Sequence, residues 1–164
     1  MEHNKSGLVG LTINTFNAND IARCRVSFSA AQKTVVHGLA KTPCVTMAAG
    51  DGRLSVSGVK MCFAYQLIAL DKFGAEAMSS IPASKKRDDL VLSHLCGTRN
   101  CVVATHLEIV QKWINDERTS CHFVMQSIKN KAIEDGNDWC ASLQELSPRL
   151  CRHAHSTGVC CGSW

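Results

Sequence analysis

The chain has 164 residues, enough for one compact domain with a sizeable core. Apolar residues make up 45% but aromatic ones only 5%, so bound metal is expected to supply stability that large buried rings do not. The net charge of +4 permits contact with nucleic acid, and no apolar run is long enough to cross a membrane, which excludes a helical membrane-spanning protein.

Residues 1–20 are polar, with a short strand expected at 8–13 and a loop through NTFNANDIA. The opening MEHNKSGLVG contains no apolar stretch of signal-peptide length. In ARCRVSF, Ala22, Cys24, Val26 and Phe28 alternate with Arg23, Arg25 and Ser27. Period two predicts a half-buried strand over 22–28 with a basic outer face. KTVVHGLAK, residues 33–41, predicts a second strand, and 44–47 a third that ends at the turn AAGDGR. Between residues 21 and 60 stand six basic side chains (Arg23, Arg25, Lys33, Lys41, Arg53 and Lys60) against the single acid Asp51. Two readings fit that charge. One is an antiparallel ribbon of two or three strands laid in the DNA major groove through Arg23, Arg25, Lys33, Lys41 and Arg53; the other is an ordinary solvated sheet face.

VKMCFAYQLIALDKF, residues 59–73, is apolar almost all round and predicts a buried helix ended by Gly74, with Cys62 as a core residue. Residues 79–89 form a polar connection. Its run Lys85, Lys86 and Arg87 suits a solvated loop, a phosphate contact or a nuclear-import signal. Residues 90–95 lead into the stretch on which the chemistry turns, and a helix is expected over 106–114. Beyond Cys121, HFVMQSIKNKAIEDG and CASLQELS read as two short amphipathic helices, and the chain closes on CRHAHSTGVCCGSW.

The stretch SHLCGTRNCVVATHLEIVQKWINDERTSC, residues 93–121, holds Cys96, Cys101 and His106 with four residues between each pair of neighbours. Thiolates and an imidazole at short loop spacing are what a tetrahedral Zn²⁺ requires. Cys44 is expected to complete the site, because Pro43 and Cys44 stand at a strand edge; Cys62 is the alternative. A second site is expected from Cys121, Cys151, His153 and Cys160, with Cys140, His155 and Cys161 as possible replacements. Ten cysteines also suit a secreted disulfide scaffold. Their interleaving with histidines, without a signal segment, favours two structural zinc sites. His94 lies too close to Cys96 to be an easy fourth ligand, so it is free for other chemistry, and the helix over 106–114 would return Asn115 towards it. The plainer roles are a carbonyl hydrogen bond for His94 and a helix cap for Asn115.

In type and order, His94, Cys96, Cys101, His106-Leu107, Asn115, Arg118, Cys121, Cys151, His153 and Cys160 resemble the His-Cys box homing endonucleases. These form a branch of the ββα-metal, or His-Me finger, nucleases, and the spacing from His94 to Cys121 is similar to that of intron-encoded members that cut ribosomal DNA. The resemblance implies an α+β fold: a single domain over 1–164 with a DNA-binding sheet over 21–60, the catalytic zinc loop and helix over 90–121, and the second zinc site over 122–164. It implies His94 as general base, Asn115 as ligand to one catalytic Mg²⁺, and Lys60, or alternatively Arg53, as the cation that stabilises the phosphate. It further implies nuclear double-stranded DNA, ribosomal DNA included, as substrate, and a homodimer in which residues 123–146 replace a long C-terminal tail. A zinc-stabilised DNA- or RNA-binding protein with an inactive nuclease site is the alternative function.

Overall fold

The computed structural model of the chain describes residues 11–39, 42–48, 51–55, 60–139 and 141. Asn17 and Asp20 open the first helix, α1 (Ala18–Ala30), as a reciprocal capping box. The Asp20 backbone N–H donates to Asn17 Oδ1 at 2.9 Å, and the Asn17 N–H donates to Asp20 Oδ2 at 3.2 Å. This helix replaces the strand expected over 22–28. The apolar alternation there is seven residues long and also satisfies helical spacing: Ile21, Cys24 and Phe28 all enter the main core. The cap decides between the two periods. Ahead of α1, a 3₁₀ turn at Thr12–Thr15 occupies the end of the strand expected at 8–13.

Strands β1 (Lys33–Val36) and β2 (Cys44–Met47) pair antiparallel, from Lys33 opposite Met47 to Val36 opposite Cys44. Strands β3 (Arg53–Ser55) and β4 (Met61–Phe63) form a separate antiparallel pair. The basic residues of 21–60 therefore do not share one ribbon. Arg23 and Arg25 lie on α1, Lys33 on β1 and Arg53 on β3, while Lys41 is outside the described residues. Helix α2 (Ala64–Ser79) follows β4 at once, so its start is later than the expected residue 59: Met61–Phe63 pair as a strand first. Gly74 leaves the helical region, with φ 82° and ψ 165°, and divides α2 into two segments. Only a residue without Cβ takes that conformation at little cost. The buried face of α2, with Ala64, Leu67, Ala69 and Met78, packs on Ile13, Cys24, Leu54 and Leu107 to make the main core.

The third hairpin positions the site. Strand β5 (Leu90–His94) pairs antiparallel with β6 (Leu107–Gln111), His94 opposite Leu107. The helix expected over 106–114 is thus a strand, and the helix begins only at Lys112. LEIVQ finds in LVLSH a partner with which its branched side chains pair across strands, and that tertiary pairing overrides a short apolar run readable either way. Helix α3 (Lys112–Glu134) then runs unbroken, so HFVMQSIKNKAIEDG is its C-terminal part rather than a separate short helix; CASLQELS lies almost wholly outside the described residues. Arg118 joins α3 to the hairpin. Its guanidinium donates to Ser93 Oγ at 2.8 Å and to Glu108 Oε2 at 2.9 Å, and those two residues face each other across β5 and β6. No described helix is long and apolar enough to cross a membrane.

Candidate metal centre and adjoining cleft

Cys44 opens β2, Cys96 and Cys101 stand in the loop after β5, and His106 closes a 3₁₀ turn at Ala104–His106. Backbone bonds fold that loop over the first hairpin. The Val102 N–H donates to the Val45 carbonyl at 2.8 Å, and the Leu39 N–H donates to the Cys96 carbonyl at 3.0 Å. As a result the donor atoms of Cys44, Cys96, Cys101 and His106 lie within 4.8 Å of one another, and all four residues are buried. His106 Nδ1 faces Cys101 Sγ at 3.4 Å and Cys44 Sγ at 3.7 Å, while Nε2 lies 2.6 Å from Thr42 Oγ1. With Nε2–H donating to the hydroxyl oxygen, the Nδ1 lone pair is left pointing at the sulfurs, as a metal ligand requires.

The packing round the sulfurs leaves no room for an added methyl group. A Cβ on Gly38 would stand 2.4 Å from Thr98 Oγ1 and 2.8 Å from Cys44 Sγ. Gly97 turns the chain directly after Cys96 with φ +68°. Hydrogen bonds from Cys101 and then Cys96 hold the Cys44 thiol well below its ordinary value. The donating thiols are pushed up, Cys96 chiefly through Cys101 and Cys101 chiefly through Cys44. Three soft thiols and one imidazole in a closed, buried tetrad fit Zn²⁺, whose charge would release the remaining thiol protons. These four residues form a zinc-binding cluster, with the fourth ligand at Cys44. Cys62 stands elsewhere, in the main core, with its Sγ 3.7 Å from Cys24 Sγ. Of the second expected site, Cys121 lies on α3, partly buried beside Leu39 and Met125. Cys151, His153 and Cys160, with Cys140, His155 and Cys161, lie outside the described residues.

Next to the cluster is a cleft of about 600 Å³ between the end of β5, the ligand loop and α3. His94 and Asn115 both line it. Asn115 stands in the first turn of α3 rather than at a helix end, and Thr119, His122 and Gln126 continue the same helical face into the cleft. Arg99 faces it from the ligand loop. No carboxylate lines it among the described residues. His94 Nε2–H donates to the Cys101 carbonyl at 3.2 Å, which leaves Nδ1 with the lone pair. The Tyr65 ring meets the imidazole edge-on, with ring centroids 4.8 Å apart. Burial holds His94 down to about 4, against the opposing effect of the Cys101 carbonyl, so the imidazole is neutral at pH 7.

The remaining cations expected at the site are engaged elsewhere. Lys60 Nζ is 2.8 Å from Asp20 Oδ2, and Arg53 Nε is 2.8 Å from Asp51 Oδ2; neither residue lines the cleft. Arg25 pairs with Asp71 at 2.6 Å, and Lys33 Nζ lies over the Phe28 ring. Arg118 is buried on Ser93 and Glu108. Sequence reasoning missed Thr42, Gly38, Arg99 and His122. The last had a usable signal, seven residues after Asn115 on one helix, once the start of α3 is known.

Fold and cluster together define a small α+β zinc-binding protein with short antiparallel sheets. Over residues 23–157 the chain matches the family model described as the zinc-binding loop region of homing endonuclease, and it belongs to that family. No curated protein and no solved structure matches it significantly.

Proposed function

We propose that this chain is a site-specific endonuclease that hydrolyses phosphodiester bonds of double-stranded DNA, with His94 as general base and Asn115 as ligand to one Mg²⁺. The observation that carries the reading is the shared cleft: an imidazole, fixed by the carbonyl of a zinc-ligand residue, lines the same space as an asparagine amide. The order β5, ligand loop, β6, α3 supports a ββα-metal core, with the zinc cluster in the loop between its two strands.

In this reading His94 Nδ1 takes a proton from a water beside the scissile phosphate. The oxygen so activated attacks phosphorus, the bond to the 3′ oxygen breaks, and the departing oxygen takes a proton from solvent water, leaving 5′-phosphate and 3′-hydroxyl ends. Mg²⁺, when bound, supplies charge neutralisation at the phosphate and leaving oxygen. A hard cation accepts an amide oxygen, waters and phosphate oxygens, so Asn115 fits as its protein ligand.

The finer points belong to the same proposal. They are a second zinc at Cys121, Cys151, His153 and Cys160; phosphate contacts by Arg23, Arg25, Lys33, Lys41 and Arg53; and a homodimer to which residues 123–146 contribute. They extend to a nuclear, intron-encoded enzyme acting on ribosomal DNA. Plasmid carrying ribosomal DNA tests the activity. Linear product is expected with Mg²⁺ and none without a divalent metal. Specific binding with no nick under any divalent metal would leave a zinc-stabilised binding protein instead.

A further inference from the structure

The cleft that holds His94 and Asn115 contains a cation that neither the expected roles nor the family assignment uses. Arg99 stands between Cys96 and Cys101, so the loop that wraps the zinc cluster also carries its guanidinium to the rim of the cleft. Its side chain is exposed, and no acidic side chain pairs with it among the described residues. By contrast, Lys60 and Arg53 are paired with Asp20 and Asp51 and lie outside the lining. The other polar groups facing Arg99 across the cleft are Asn115, Thr119, His122 and Gln126, none of them anionic. A guanidinium lining the same cleft as an imidazole and neutral polar groups, with no carboxylate among the described lining residues, suits a phosphate diester.

We infer that Arg99 binds the phosphate that is cut, from the ligand-loop side of the cleft, opposite the α3 face that carries Asn115. The inference rests on the nuclease reading above and adds to it. Zinc binding then has a second consequence besides stability: it fixes the chain on both sides of Arg99 and so sets where the phosphate is held. A guanidinium that forks onto two phosphate oxygens would also stabilise the charge that builds up as water attacks.

The test compares wild type, Arg99→Ala and Arg99→Lys, each with its zinc content verified, on supercoiled plasmid carrying ribosomal DNA with Mg²⁺. Arg99→Ala is expected to lower the single-turnover rate by about 10²- to 10³-fold, the usual effect of removing one transition-state donor. Arg99→Lys should recover part of the rate, since it restores charge without the fork. In parallel, duplex affinity is measured against salt without divalent metal. Loss of one phosphate contact should flatten the log–log slope by about one unit in Arg99→Ala. Unchanged rate and unchanged slope with zinc intact would overturn the inference. A wild type that never cuts, with the slope still flattened in Arg99→Ala, would remove the nuclease reading while leaving the phosphate contact in place. A wild type that never cuts, with an unchanged slope, would remove both.

Discussion

At the scale of single residues, the zinc ligands are distinctive and their supports are not. Thr42 carries no metal-binding chemistry, yet its hydroxyl sits 2.6 Å from His106 Nε2 and sets which ring nitrogen faces the sulfurs. Thr42→Val keeps the shape and removes the acceptor. It is expected to weaken zinc binding by about 10- to 100-fold, as loss of an outer partner of a ligating histidine does. Competition with a chromophoric chelator would measure this, and an unchanged affinity would show that the hydrogen bond does not orient the ring. Cys96, Cys101 and His106 were legible because thiol and imidazole at loop spacing have few other uses in such a chain. Thr42 and Gly38 were not, because their positions matter only after the first hairpin folds against a loop more than fifty residues away.

At the scale of elements, short apolar runs were the weak point. ARCRVSF and HLEIVQ each fit two periods, and in each the decision came from outside the run: a capping box for α1, a strand partner for β6. The error over 106–114 moved Asn115 from a helix end to a helix start, although the expectation that it returns towards His94 holds. Other readings fared better. β2 stands where expected, β1 keeps only the first four of the residues expected over 33–41, and Gly74 does interrupt the helix it was expected to close. Arg118 shows what fastens the parts together. It is only 4% exposed and bridges both strands of the third hairpin from α3. Arg118→Ala leaves Glu108 without its partner, which typically costs about 3–5 kcal/mol for a buried pair. Glu108 keeps 29% exposure, so the lower end, about 3 kcal/mol, is expected on urea unfolding of the zinc-loaded protein. A loss below about 0.5 kcal/mol, typical of a surface substitution, would contradict a fastening role.

At the scale of the whole molecule, fold and metal are one problem. Aromatic residues are few, and the described apolar side chains packed against the buried cluster of Cys44, Cys96 and Cys101 are Val36 and Val103, so zinc rather than apolar bulk is expected to hold this corner. Mass spectrometry under non-denaturing conditions should find two Zn²⁺ per chain, and chelation should unfold the ligand loop. Disulfides among Cys96, Cys101 and Cys121 in place of metal would contradict this. The charge pattern was the least legible feature. The six cations of residues 21–60 read as one basic face, but folding spreads the described ones over a helix and two separate hairpins, several with an acid alongside. The measurement that bears most directly on the central claim is single-turnover cleavage by His94→Ala against wild type, on DNA that wild type cuts, with zinc content matched. The rate of His94→Ala is expected to be lower by about 10²- to 10⁴-fold with DNA binding retained, since a general base is lost and nothing else. Equal rates with zinc intact would contradict it.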